Sequence, residues 1–281
     1  MKKTLIIFGG ADFEEAAARK VATEAGLIVA TATVDGKKVH GGNAYQANGY
    51  TVDQGDATDI TGIIIFECAK KCAGENANIF VVCDHHNPDD AGYGKGPDEF
   101  FSASSLGQLM NFLGIEPDHE QMLIAASDHC PVAAYAGKCP GITVEEFADF
   151  RITQKLAFYK NDARNAHKNT KEMLTGVIAQ AKEKLLKAPE VNGVRDVRSA
   201  GHIDELPEAA MLLGTAYMAS IPDTDRDQKP TGNIKVVLGG NTTPEIVTAF
   251  MEWGNSLPNK VGNAYGNPTR GFAGVITTPE Q

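Results

Sequence analysis

The chain has 281 residues, 42% hydrophobic and 22% charged. That balance excludes a disordered, collagenous or coiled-coil protein and suffices for one large domain or two smaller ones. A formal net charge of -10 argues against non-specific attraction to long nucleic acid or an anionic membrane.

The apolar start at residues 4–8 breaks at Gly9-Gly10-Ala11-Asp12, too soon for a signal peptide, and no apolar run approaches the about 18 residues of a membrane span. A cytoplasmic protein is expected, with its five cysteines as reduced thiols. Residues 4–8 predict a strand and 12–25, rich in Ala, Glu and Arg, a helix. A second strand is predicted over 27–34, turned by Asp35-Gly36 into Lys37-Lys38-Val39, with 41–49 as a loop. The runs 63–66 and 79–82 are continuously apolar, the pattern of strands buried on both faces of a parallel sheet; they stop at Glu67 and at Asp84-His85-His86. Residues 102–113 predict a helix, and 122–126 a short apolar element whose end delivers Asp128 and His129. Ligands of open α/β sheets gather at the carboxyl ends of strands, so these acids and imidazoles are expected around one crevice.

Residues 147–186 are mostly helical in composition, with Gly176 as the weak point and Pro189 as the stop. Between 151 and 187 lie nine basic and three acidic residues, a surplus of six. Beyond it the sequence predicts a helix over 206–220, a polar turn region over 222–232, a strand over 234–238, a helix over 244–253 and a tail rich in Gly and Asn. The expected architecture is α/β: a parallel-sheet N-terminal domain at 1–150, a long helical connector at 151–190, and a smaller α/β C-terminal domain at 191–281.

The chemistry concentrates in Asp84-His85-His86, two imidazoles and a carboxylate just past a buried strand. Imidazole and carboxylate suit divalent metals such as Zn, Mn and Fe, and an Asp beside a ligating His fixes its tautomer. Asp12, either Glu14 or Glu15, Glu67 and Asp128 would bring further carboxylates, which repel one another unless a cation neutralises them. Cys68 and Cys72 have no second cysteine pair at zinc-finger spacing and read as structural thiols. His129, beside Asp128, is a candidate ligand or substrate contact, and residues 92–97, with Tyr93 and Lys95, read as a substrate loop or a plain turn. Two glycine-containing turns, 239–243 and the segment around Arg270-Gly271, have the composition of anion-binding loops, or of an ordinary cap and a surface turn.

These residues resemble the DHH phosphoesterases, metal-dependent hydrolases named for an Asp-His-His motif at a strand end. Asp12-Phe13-Glu14, Glu67, Asp84-His85-His86 and Asp128 occur in the family's order, and residues 102–107 are similar to its small-residue helix start. The resemblance is strong over the first half of the chain. It implies metal ligation by Asp12, Glu14, Glu67, His85 and Asp128, catalytic support from Asp84 and His86, and substrate contacts from His129, Arg270 and Gly271 in a diverged C-terminal domain. It further implies two Mn ions, with Zn, Fe, Co or Mg also admitted by the mixed N/O ligand set. Glu14 and Glu67 stand where the family carries Asp, and Phe8 where a His is frequent, departures that point to an altered metal preference or a weakened site. The expected activity is divalent-metal-dependent hydrolysis of a short oligonucleotide, a nucleotide or another small phosphorylated compound, possible as a homodimer. The alternative is a catalytically weakened protein that binds a phosphorylated ligand.

Overall fold

Side chains of a strand alternate between the two faces of its sheet, so a strand buried at every residue must be covered on both. Leu5 to Phe8 and Ile63 to Phe66 meet that condition, and they pair side by side. The computed structural model describes residues 3–160, 163–225 and 229–279, which fall in two compact units, Met1–Phe147 and Ala148–Gln281.

The first unit contains β1 (Thr4–Phe8), α1 (Phe13–Glu24), β2 (Ile28–Val34), β3 (Lys37–Lys38), β4 (Gly49–Gln54), β5 (Gly62–Phe66), β6 (Ile79–Cys83), α2 (Phe100–Ala103), α3 (Ser105–Leu113), α4 (His119–His129) and α5 (Pro131–Tyr135); α6 (Val144–Tyr159) begins in it. Its sheet has the order β3-β2-β1-β5-β6, with β4 also on β2. The pairs β2-β1, β1-β5 and β5-β6 are parallel, whereas β3 and β4 run antiparallel to β2. Register aligns Phe8 with Phe66 and Phe66 with Cys83. The chain therefore leaves three neighbouring strands at one edge, at Gly9, Glu67 and Asp84.

Three local expectations change. Residues 41–49 hold a 3₁₀ turn at Ala44–Gln46 and lead into β4, whose half-exposed, polar sequence hides its strand character. The helix expected over 102–113 is split at Ser104, which takes extended dihedrals and caps α3 by accepting from the Gly107 N–H. Gly107 is required there, because a Cβ would sit 1.7 Å from the Phe101 carbonyl oxygen. The apolar element at 122–126 is no strand but the middle of α4, where Asp118 and Gln121 form a reciprocal capping box at the N-terminus.

The second unit contains α7 (Lys171–Lys187), β7 (Glu190–Val191), β8 (Val194–Asp196), α8 (Leu206–Leu213), β9 (Ala216–Thr224), β10 (Pro230–Gly240), α9 (Pro244–Ser256), β11 (Tyr265–Asn267) and β12 (Phe272–Thr277). The sheet order is β11-β12-β10-β9-β8-β7, antiparallel throughout except for β8-β9. Leu174, Ile178 and Leu185 of α7 pack with Leu206 and Ala209 of α8 against Tyr217 and Ala219. A second core joins Val236, Leu238 and Val275 to Val247 and Phe250 of α9.

Here too the sequence reading is corrected. Gly214, in the left-handed region at φ 62°, ends α8, so residues 216–224 are strand and not a continuation of the helix. The helical stretch after residue 147 is interrupted between α6 and α7, not at Gly176, which lies within α7 with open space where a Cβ would stand. The expected polar turn at 222–232 is largely the β9-β10 hairpin; its residues 226–228 lie outside the described part. The Gly/Asn tail is also a hairpin, β11-β12. Among the described residues no helix is long and apolar enough to cross a membrane.

Candidate metal centre

At the end of β1 the Gly9 N–H bonds the Phe66 carbonyl, and Asp12 then caps α1 by accepting from the Glu15 N–H at 2.8 Å. This cap places two carboxylates in the first helical turn, and they face different partners. Glu15 accepts from Arg19 Nε at 2.7 Å and from the Gly10 N–H, while Arg19 also reaches Asp53 and Thr31. Glu14 is the one delivered to the site: it is 1% exposed, its Oε1 accepts from the Leu106 N–H at 3.0 Å, and its buried Oε2 has no hydrogen-bond partner among the described residues.

Glu67 follows β5 with φ 51°, a left-handed conformation uncommon for a side chain of this size. Its N–H is held by the Cys83 carbonyl and its Oε1 accepts from Ser105 Oγ at 2.7 Å. Past β6, the Asp84 carboxylate accepts from the His85 and His86 N–H groups, from Tyr45 Oη at 2.9 and 3.0 Å, and pairs with His86 Nδ1 at 2.9 Å. Gln108 grips the same turn through the Asp84 N–H and carbonyl. The His85 and His86 rings stack at 4.5 Å, and His85 Nε2 lies 3.1 Å from Asp128 Oδ2.

Glu67, His85 and His86 bring one ligand atom each within 4.8 Å of one another, and Glu14, Glu67, His85 and Asp128 do the same. Glu14, Glu67 and His85 are buried, His86 partly so and Asp128 exposed, and together they are positioned to hold a metal ion. Asp12 is in neither group, yet it shares their electrostatics: burial and the Asp128 charge raise its pKa. Burial pushes the Glu14 and Glu67 carboxyls well above their ordinary range; the charges of Asp128 and Glu67 add to the effect on Glu14, and those of Asp128, Asp12 and Asp84 to the effect on Glu67. Burial would also raise Asp84 and Asp128, but hydrogen bonds and charge from His86 and from His85, respectively, hold both low. The cluster thus carries more negative charge than its imidazoles offset, and a cation would relieve it.

His129 packs edge-on to His85 at 5.1 Å with Nε2 3.2 Å from the Lys95 carbonyl, which ties the 92–97 loop to the site. Burial and the His85 charge lower its pKa, and its Nδ1 is buried without a hydrogen-bond partner among the described residues. Asp128 and His129 arrive from the last turn of α4, not from a strand end. Phe8 lies wholly in the core, 5.1 Å from Phe66, with the Arg19 guanidinium over its ring.

Tyr45, Ser105 and Gln108 were not singled out by the sequence. Ser105 lies in the small-residue string noted above, whereas Tyr45 and Gln108 meet Asp84 across 39 and 24 residues of chain. Arg270 and Gly271 lie in the β11-β12 turn of the second unit, where Asn267 Oδ1 accepts from the Thr269 and Arg270 N–H groups. That turn meets the 239–243 turn, because Thr242 Oγ1 donates to the Gly271 carbonyl at 2.8 Å.

The basic surplus at 151–187 is largely neutralised within the second unit. Arg151 and Lys155 pair with Glu208, Lys155 and Lys168 with Glu205, Lys168 with Asp204, Lys171 with Asp149 and Lys187 with Glu183. Asp162 and the Arg164 side chain lie outside the described part. No protein-family model matches the chain, and no curated protein matches it in sequence.

Proposed function

We propose that the first unit is the catalytic part of a divalent-metal-dependent phosphoester hydrolase, a diverged member of the DHH phosphoesterases. The observation that carries this reading is the pair of overlapping ligand sets, Glu67-His85-His86 and Glu14-Glu67-His85-Asp128, which share Glu67 and His85. Either set could hold one ion, and a second would have to share the Glu67 carboxylate, since one His85 nitrogen serves a single ion; Mn is the first choice. The orphaned Glu14 Oε2 and the raised Glu14 and Glu67 carboxyls fit a cation as the missing partner. A bound divalent ion supplies Lewis acidity, lowering the pKa of water and neutralising charge on a phosphoryl oxygen.

The protein's own groups prepare that chemistry. Ser105 holds Glu67 Oε1 and the Leu106 N–H holds Glu14 Oε1, so each carboxylate keeps its second oxygen for a cation. Asp84, held low, pairs with His86 Nδ1 and fixes the ring's orientation, which leaves Nε2 as the free ring nitrogen. Nε2 can either ligate a cation or exchange a proton with the attacking water and the leaving group, and the second role goes with a cation held by Glu14, Glu67, His85 and Asp128 alone. A net charge of -10 and the paired basic segment favour a nucleotide, a short oligonucleotide or another small phosphorylated compound over long nucleic acid.

The test is release of product from a panel of small phosphoesters by the Mn-loaded protein, beside His86→Ala and Asp84→Asn. Turnover is expected in the parent and a loss of roughly 100-fold or more in His86→Ala. Undiminished turnover in both variants overturns the reading. Retained binding of phosphorylated ligands without any turnover selects the second reading, a ligand-binding descendant; the longer Glu14 and Glu67 side chains and Phe8 in the core favour it.

A further inference from the structure

The five cysteines are all free thiols, and four of them stand in two pairs. Cys68 and Cys72 approach to 3.9 Å, both buried in the first unit's core. Cys130 and Cys139 approach to 3.3 Å, with Cys139 buried and Cys130 partly exposed. A disulfide bond is about 2.0 Å long, so the second pair needs only roughly 1.3 Å of further approach, within reach of side-chain rotation.

The backbone keeps this pair together. Cys130 closes α4 through its N–H to the Ala126 carbonyl, and its own carbonyl accepts from the Ala134 N–H at the start of α5. The chain then folds back: the Gly137 and Lys138 N–H groups bond the Ala134 and Ala133 carbonyls, and the Cys139 carbonyl accepts from the Ile142 N–H. Both sulfurs are thus anchored at the two ends of one hydrogen-bonded turn, and neither belongs to a metal-ligating group.

We propose that Cys130 and Cys139 are a redox modification site, closing a reversible intramolecular disulfide when the protein meets a peroxide. One thiol of the pair, as its thiolate, attacks one peroxide oxygen, an S–O bond forms as the O–O bond breaks, and with a proton the other oxygen leaves as water. The second thiol then attacks that sulfur, the S–S bond forms, the S–O bond breaks and a second water leaves. Two thiols are oxidised by two electrons in all and one hydrogen peroxide is reduced to two waters. The bond closes the loop around α5, two residues beyond Asp128, and a thiol reductant reopens it. This site does not depend on the hydrolase reading.

The full chain, freed of reductant and exposed to hydrogen peroxide with a chelator present, tests it. The expected result is a fall in titratable thiols from five to three, reversed by dithiothreitol. Trypsin cuts after Lys138, so the disulfide would join the Cys130 peptide to the Cys139 peptide. In Cys130→Ser and in Cys139→Ser the link is lost, and dimedone traps a sulfenic acid on the remaining thiol in the variant that keeps the attacking cysteine. Persistence of both thiols, a Cys68-Cys72 link in place of the expected one, or over-oxidation of Cys130 with Cys139 still alkylatable would overturn the proposal. Absence of a trapped sulfenic acid in both variants would overturn its order of steps.

Discussion

Glu14 and Glu67 in the first unit and Glu205 in the second are all at most 7% exposed, yet their carboxyls move in opposite directions. Burial and neighbouring carboxylates raise the first two. Burial works against Glu205 as well, but hydrogen bonds from Lys168 and Tyr159 and the charge of Lys155 bring it below its ordinary value. Depth alone therefore does not decide the sign; the countercharge does. In the second unit the cations are residues of the chain, Arg151, Lys155 and Lys168. In the first, no lysine or arginine among the described residues is a hydrogen-bond partner of Glu14 or Glu67, and either a proton or a bound cation would neutralise them.

The largest effect should follow from removing a shared ligand. His85→Ala or Glu67→Ala is expected to weaken cation binding by more than the roughly 10–100-fold that loss of an outer hydrogen-bonding partner costs, as read by calorimetric titration. Next comes Lys168→Met, which leaves Glu205 and Asp204 without their buried ammonium. We expect it to lower stability by about 3 kcal/mol in denaturant unfolding while leaving cation affinity unchanged. A variant that moved both readouts together would break the separation of the two clusters.

Their pH dependences should be opposite in sign. The Asp204 carboxyl, opposed by burial but held by Lys168 and His167, lies at about 2 against an ordinary 3.8; its contribution is present above the ordinary value and is lost as pH falls through about 2. Glu14 and Glu67, without a cation, lie above their ordinary 4.5. Their contribution is present below 4.5 and is lost as pH rises through the raised values; a bound cation should cancel that loss. Melting curves across pH with chelator and with Mn would show both trends. The smallest effect is expected from Tyr45→Phe, which removes a hydrogen bond to Asp84 that other donors also serve. About 1 kcal/mol of cation binding, read by titration, is its expected upper bound.

What the sequence made legible was local. Strands buried on both faces have to be continuously apolar, so β1 and β5 could be read from hydropathy; the run at 79–82 forms a strand as expected, but β6 ends the sheet and is not buried on both faces, with Phe80 44% exposed. Parallel register still brings Gly9, Glu67 and Asp84 to one edge. The remainder depended on contacts distant in sequence. The choice of Glu14 over Glu15 is made by Arg19, which claims Glu15. Asp128 reads equally well after a strand or within a helix until the Asp118 cap is considered, since a short apolar run carries no period that separates the two. The basic surplus could not be discounted from the sequence because its partners, Asp204, Glu205 and Glu208, lie 36 to 57 residues further along. Composition counts charges but does not pair them.

The central claim is that the first unit's carboxylates await a cation and the second unit's do not. Metal content per chain, measured after Mn loading and removal of free ion, tests it most directly in the parent, His85→Ala and Lys168→Met. The account predicts stoichiometric retained metal in the parent and in Lys168→Met, and its loss in His85→Ala. Equal metal content in the parent and His85→Ala, or none in either, would contradict it.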